Sequence, residues 1–304
     1  VSVTATPEER LAARRAMDAA RSEVVACERA LSRFDPESDL SRLNGLSGEW
    51  VSVDERLVEA LEVAQWARDE TAGRFDPTIL PVLVAAGYDR SFEQVTPRAP
   101  RTPPSWHAGA RVEVDPHRQR ARIETGAAAD LGGIGKGFSA VRALRAMRST
   151  SPVLRGGLVD LGGDIAVWGA SPDGGRWRLG VADPRVPGAS LGTLRIAAGG
   201  VATSGRDQRR FGLQNELHHL IDPRTGAPAR GGPLAVTVVA ADAASAEAHA
   251  TALAVTPARS AHAYVAQRPG VGALVIPDTG EPILAGDVEF TAYRPPVRVT
   301  LPTI

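Results

Sequence analysis

Leu234-Ala-Val-Thr-Val-Val-Ala-Ala-Asp242-Ala-Ala-Ser-Ala-Glu247-Ala-His-Ala-Thr251-Ala-Leu-Ala254 changes character at Asp242. Val236 to Ala240 is a short run rich in β-branched residues, the clearest strand of the chain. Ala244 to Ala254 is made of helix formers and reads as a helix behind that strand. Such a pair suits several folds, so the flanking texture decides. Toward the N-terminus, Pro7 to about Leu31 carries apolar residues at helical spacing and enters at Thr6-Pro7. Phe34 to Gly45 reads as a polar loop. Asp54 to Thr71 is again helical, with Leu57, Leu61, Val63 and Trp66 as its expected buried side, and it stops at Gly73. Residues 88–108 read as a surface excursion, and Gly137 to about Ser149 as a short helix. After Leu158 short apolar runs alternate with Gly, Pro and Asp, as in strands joined by turns, and Ala273 to Pro277 and Val288 to Tyr293 close the series. Helices early and strands late favour one α+β domain over an alternating parallel fold. There is no repeat of fixed period.

The chain has 304 residues, 43% of them apolar, enough for a well-buried core. Lys+Arg and Asp+Glu both total 35, so no overall charge draws the protein to nucleic acid or to an anionic membrane. An anionic ligand must be held by a local site. Cys27 is the only cysteine, which excludes an internal disulfide and a Cys-based zinc cluster. The longest apolar runs, such as Leu234 to Ala241, fall far short of a membrane span. The first residues have neither the basic start nor the apolar stretch of a secretory signal. With no lipid-carrying Cys there, a cytoplasmic location is expected over a membrane-anchored extracytoplasmic one.

Three stretches carry chemistry. Asp130-Leu-Gly-Gly-Ile-Gly-Lys136-Gly places glycines and a lysine at a helix start, where backbone N–H groups can cradle a phosphate, although a purely structural turn has the same look. His218-His219-Leu-Ile-Asp222-Pro-Arg224-Thr225-Gly226 pairs two imidazoles with an Asx-Pro turn, and such histidines serve as metal ligand, general base or core. Glu247 and Thr251 lie four apart, on one helical face, as oxygen ligands for a hard cation or as a solvated Glu beside a back-bonded Thr. Gly73-Arg-Phe75-Asp76-Pro77-Thr78, Leu161-Gly162-Gly163-Asp164 and Thr203-Ser204-Gly205-Arg206 read singly as turns.

Taken in order, these segments resemble the FAD:protein FMN transferase family, also called ApbE or thiamine-biosynthesis lipoprotein. The family's course is Ser-Glu-x-Ser-x-x-Asn, Gly-x-Phe-Asp-Pro-Thr, Asp-Leu-Gly-Gly-Ile-Ala-Lys-Gly, Gly-Gly-Asp, Thr-Ser-Gly, His-x-Ile-Asp-Pro-x-Thr-Gly and Ala-Asp-x-x-x-Thr. The counterparts here are Ser38-Asp39-Leu-Ser41-Arg42-Leu-Asn44, Gly73 to Thr78, Asp130 to Gly137, Gly162 to Asp164, Thr203 to Gly205, His219 to Gly226, and Glu247 with Thr251. The resemblance is strongest over 31–255 and implies one T-fold-related α+β domain over 1–304, with antiparallel sheet and packed helices.

It further implies an enzyme that splits FAD with Mg2+ and moves FMN through a phosphoester onto a Thr or Ser of an acceptor flavoprotein, releasing AMP. His219 would be the general base, with Asp222 shaping its turn or orienting its imidazole. FAD contacts would come from Ser38, Asn44, Phe75, Asp76, Asp130, Gly132, Gly133, Lys136, Gly163, Asp164, Thr203, Ser204, Gly205 and Arg224. Glu247, Thr251 and the carbonyl of Ala129 would hold Mg2+. Two departures stand out: Glu247 replaces the family's Asp, and Val141-Arg142 replaces its Asp-Arg, so that Arg142 or Ser139 would have to supply any lost nucleotide contact. Hydrolysis of FAD to FMN and AMP, and binding of FAD without turnover, are the alternative readings of the same site.

Overall fold

The structure is a computed structural model that describes residues 1–101, 106–207, 209–214 and 216–293. Helix α1 (Arg10–Leu31) follows a 3-10 turn whose Thr6 N–H is held by Glu9 at 2.7 Å, and it buries Ala16, Ala20, Cys27, Ala30 and Leu31. Where the sequence reads as a polar loop, α2 (Asp39–Gly45) forms instead. Ser38 caps it by accepting from Ser41 N–H at 3.0 Å, and Leu40 and Leu43 are fully buried. Seven residues are too few to display a period, so the cap and one apolar pair are its only marks.

Helix α3 (Glu55–Glu70) starts at the expected Asp54 cap, but its buried side is Leu57, Val58, Ala60, Leu61, Ala64 and Ala67. Val63 is half-buried and Trp66 is 42% exposed, edge-on to His249, so the apolar stripe is rotated from the expected one toward its alanines. Then come α4 (Leu80–Ala86), α5 (Gly135–Thr150), α6 (Ala243–Ala254) and α7 (Ala261–Ala266). Within 88–108 the chain forms one 3-10 turn, Phe92–Gln94, and residues 102–105 lie outside the described set. No helix among the described residues is long and apolar enough to cross a membrane.

The main sheet has seven strands whose spatial order is their chain order: β1 (Ser2–Thr4), β2 (Gly156–Asp160), β3 (Ile165–Gly169), β4 (Gly199–Gly205), β5 (Ala235–Ala240), β6 (Gly272–Ile276) and β7 (Ile283–Ala285). Every neighbouring pair is antiparallel, as expected of an α+β meander. Strand side chains alternate between faces. Ala202, Val236, Val238, Ala273 and Val275 pack on α6 and α7, while Val159 and Ala166 pack with α1 and α5. Val167, Val201 and Leu274 meet a second, three-stranded sheet formed by Trp177–Ala182, Ser190–Ile196 and Phe290–Ala292. A third, of Val51–Ser52, Arg120–Ile123 and Val112–Asp115, flanks α3. Its Val-Glu-Val-Asp and Arg-Ala-Arg-Ile strands are short and charged, which hides them in the sequence.

Two glycines set how closely these layers meet. A Cβ on Gly200 of β4 would overlap the backbone of Asp242 and Ala243, and one on Gly137 of α5 would overlap the carbonyl of Ala243. The start of α6 is thereby wedged between α5 and the sheet, and this brings Glu247 to the first turn of α5.

Candidate active site

The glycine turn ahead of α5 is shaped by Asp130. Its carboxylate accepts from Gly132 N–H at 2.8 Å and pairs with Arg33 Nε at 2.5 Å, while its own N–H donates to Pro77 at 2.7 Å. The guanidinium of Arg33 lies over Phe34 and Tyr88, 4.2 and 4.7 Å from their ring centres. A Cβ at Gly133 would press on Thr251 Oγ1 at 3.1 Å and Phe75 at 3.2 Å, so that crossing also needs glycine. Asp76 is consumed by the backbone N–H groups of Thr78 at 2.8 Å and Gly109 at 2.5 Å and by the Thr78 hydroxyl.

Between β2 and β3 the chain reverses through Gly162 (φ +71°) and Gly163 (φ +95°), closed by Leu161 N–H donating to Asp164 O at 3.0 Å. Positive φ at both central residues is the requirement of a two-residue hairpin turn, met here by the Gly-Gly pair. The turn delivers Asp164, 1% exposed, to Lys136 Nζ, with which it forms an ion pair. The same ammonium lies 3.9 Å from Glu247 Oε1, and Glu247 Oε2 accepts from Gly137 N–H at 2.7 Å.

Two buried carboxylates therefore share one ammonium. Burial, reinforced by the charge of Asp164, pushes Glu247 well above the usual carboxylate range against the pull of Lys136 and the Gly137 N–H. Burial also raises Asp164, again opposed by Lys136. Burial alone would lower Lys136, but the two carboxylates outweigh it and hold the ammonium raised.

His219 lies beyond the short ladder that pairs Arg210 with His218 and Phe211 with Leu217. Its Nδ1 is buried without a hydrogen-bonding partner among the described residues, and its ring stands edge-on to Tyr88 at 6.4 Å. Burial, then the charges of Arg209, His218 and Lys136, lower its pKa to about 3. Asp222 does not orient this imidazole. Its carboxylate is taken by Arg224, through the backbone N–H at 3.0 Å and the guanidinium at 3.0 and 2.8 Å, in a turn that returns the chain to pair Ile221–Asp222 with Ala227–Pro228. His218 turns away and meets the Ala229 carbonyl at 3.1 Å.

These segments converge on one cavity of about 1240 Å³. It is lined by Phe75, Asp76, Asp130, Gly132, Gly133, Lys136, Gly163, Asp164, Thr203, Ser204, Gly205, His219, Glu247 and Thr251. Thr203 Oγ1 is 2.9 Å from Thr237 Oγ1, its cross-strand partner. Ser38, Asn44, Ala129, Asp222 and Arg224 do not line the cavity. Ser38 ties the loop to Ser32 O at 2.5 Å, and Asn44 clamps both the carbonyl of Ala129 at 2.9 Å and its N–H at 2.7 Å.

Arg33 and Arg209 line the cavity with no mark in the sequence, and Arg74 and Ser139 line it as well. Ser139 donates to Gly135 O at 2.6 Å. Arg142 is elsewhere, bound to Glu23 at 2.5 Å, Glu59 at 2.6 Å and Glu55 at 3.1 Å, and does not line the cavity.

A model described as the ApbE family matches residues 1–275. A Treponema pallidum protein named FAD:protein FMN transferase is 31% identical over 86% of this chain and 77% of its own length. One from Klebsiella pneumoniae with the same name is 26% identical over 92% of this chain and 81% of its own. Among solved structures, the ApbE protein of Thermotoga maritima superposes with a TM-score of 0.78 at 30% identity, covering 90% of this chain and 89% of that one. The Pseudomonas stutzeri flavinyl transferase ApbE, at 24% identity and a TM-score of 0.70 over 90% of this chain and 86% of that one, shares the fold.

Proposed function

The chain belongs to the ApbE family, and from that premise we propose that it is an FAD:protein FMN transferase, which cleaves FAD and passes FMN to a hydroxyl of an acceptor protein with release of AMP. The observation that carries the reading is the convergence of Lys136, Asp164, His219, Glu247 and Thr251 on one cavity. At about 1240 Å³ it exceeds the roughly 300–1,000 Å³ of ordinary ligand pockets, which leaves room for an acceptor side chain beside a dinucleotide.

Mg2+ fits these residues. A cation beside this buried pair of carboxylates would favour their charged forms, and Glu247 and the Thr251 hydroxyl, which line the cavity, are oxygen donors of the kind a hard cation takes, whereas the Ala129 carbonyl lies outside the lining. When bound, the ion supplies neutralisation of the charge that develops on phosphate oxygens. The rest is done by the chain. The backbone of Gly132 and Gly133 lets a phosphate approach closely, and Lys136 gives it a point charge.

His219, neutral at pH 7, accepts the proton of an acceptor Ser or Thr hydroxyl. The freed oxygen attacks the phosphorus on the FMN side. The bond from that phosphorus to the bridging oxygen breaks, and the oxygen leaves with AMP. Anionic phosphates beside Arg209 and Lys136 offset the cations that depress His219, so the base strengthens when substrate is present.

The test is incubation with FAD and Mg2+, with and without an acceptor peptide carrying Asp-x-(Ser/Thr)-Gly-Ala-Thr, followed by AMP and peptide mass. FMN on the peptide, lost in His219→Ala, is expected. AMP with only free FMN would replace transfer by hydrolysis, and intact FAD would leave a flavin-binding protein.

A further inference from the structure

Arg209 has φ +48°, a backbone conformation that a side-chain-bearing residue holds only under constraint. The constraint comes from both sides. Arg206 N–H donates to Leu234 O at 3.0 Å and its side chain pairs with Asp278, while Arg210 and Phe211 are fixed in register with His218 and Leu217. Arg209 directly precedes Arg210, the ladder partner of His218, and lines the same cavity as His219.

The cations of this cavity differ in their commitments. Arg33 is held by Asp130, Arg74 donates to Thr71 O at 3.1 Å, and Lys136 is shared between Asp164 and Glu247. Arg209 is exposed and has no salt bridge or side-chain hydrogen bond among the described residues. An arriving anion meets it without breaking an ion pair to any described residue. It lines the cavity together with Lys136, Asp164, His219 and Glu247.

We propose that Arg209 is a further catalytic residue, whose guanidinium grips the FMN-side phosphate of FAD at the phosphorus attacked by the hydroxyl that His219 deprotonates. This rests on the transferase reading for the reaction but not for the contact. A planar, two-pronged donor that lines the same cavity as the base and has no ion pair among the described residues suits a phosphoryl group whose oxygens gain charge as the bond to the AMP side breaks.

Arg209→Met, Arg209→Lys and Arg209→Gly test it. Gly removes the side chain and relieves the positive φ, so it should melt no lower than the native protein, separating loss of the guanidinium from misfolding. Binding of FAD and of riboflavin is measured by flavin fluorescence in metal-free buffer, and AMP release is measured with Mg2+ and acceptor peptide. The expected result is FAD binding weakened about ten-fold in the Met and Gly variants with riboflavin binding unchanged, and kcat for AMP release lowered about a hundred-fold or more. Lys should restore most of the affinity and little of the rate, because a point charge cannot bridge two oxygens. FAD affinity equal to that of the native protein in Arg209→Met overturns the proposal. If the native protein binds FAD but releases no AMP, the transferase reading falls, and the FAD-against-riboflavin comparison still decides whether Arg209 holds the phosphate.

Discussion

Glu247 on α6 accepts a 2.7 Å hydrogen bond from the backbone N–H of Gly137 in the first turn of α5. The residue before that helix, Ile134, provides no side-chain cap, so a carboxylate more than a hundred positions away in the chain serves one of its free donors and faces its positive end. Its other oxygen lies 3.9 Å from Lys136 Nζ.

Glu247→Gln keeps an oxygen for Gly137 and removes a charge that burial disfavours. An acid whose folded pKa is raised stabilises the fold below its ordinary 4.5 and loses that contribution as pH climbs through the raised value. Metal-free native protein should therefore weaken from about pH 4.5 upward relative to Glu247→Gln, which should be the more stable at pH 7 by about 1 kcal/mol. Urea titrations at several pH values check this, and a Mg2+-induced rise in melting temperature should vanish in the variant.

His219→Ala should lower kcat for transfer by about 10²–10⁴-fold while FAD binding stays within a few-fold of the native value, since the imidazole handles the hydroxyl proton. Asp222→Asn should leave the pH profile of kcat unshifted, because Asp222 is engaged by Arg224 and not by the histidine. Stopped-time AMP assays across pH separate the two.

His249 is 2% exposed, bonded through Nδ1 to the Tyr264 hydroxyl at 2.8 Å, and burial with the nearby Arg268 lowers it to about 4. Between its ordinary 6.5 and about 4 the unfolded chain takes a proton that the folded one refuses, so stability falls as pH drops through this window. His249→Gln should remove roughly 3 kcal/mol of the difference between pH 7.5 and pH 4. Denaturation midpoints at the two pH values measure it.

Gly200→Ala should lower stability by about 3 kcal/mol or more, because its Cβ meets the backbone of Asp242 and Ala243 rather than a yielding side chain. Calorimetric melting reads the loss. Since α6 would be pushed outward, Mg2+-dependent stabilisation should weaken as well.

Arg142→Met should cost about 1–2 kcal/mol, mostly from Glu23, whose side chain is 14% exposed, since Glu55 and Glu59, at 55% and 43%, are more open to screening. Arg56 remains on Glu23 at 2.8 Å to limit the loss. The kcat should not change, as Arg142 lies outside the cavity.

Elements long enough to show their own period were legible: α1 and α6 stand within a few residues of where Pro7 to Leu31 and Ala244 to Ala254 place them, and β5 matches Val236 to Ala240. Helix α2 and the strands Val112–Asp115 and Arg120–Ile123 were not, because their burial comes from partners distant in the chain. The face of α3 was misplaced for a related reason: Trp66 is the largest apolar side chain of its pattern, yet the small surfaces of Ala60, Ala64 and Ala67 are what close packing selected.

By itself the sequence determined the order of the motifs, the turns that Gly162-Gly163 and Asp222-Pro-Arg224 enforce, and the family, since these depend on residues adjacent in the chain. Only the tertiary structure decided that Lys136, Asp164 and Glu247 share one buried charge balance, that Asp222 belongs to Arg224, and that Arg209 and His219 line one cavity. Desolvation and Coulomb interaction act through space and grow as water is excluded, so their outcome is set by which distant segments the fold brings together.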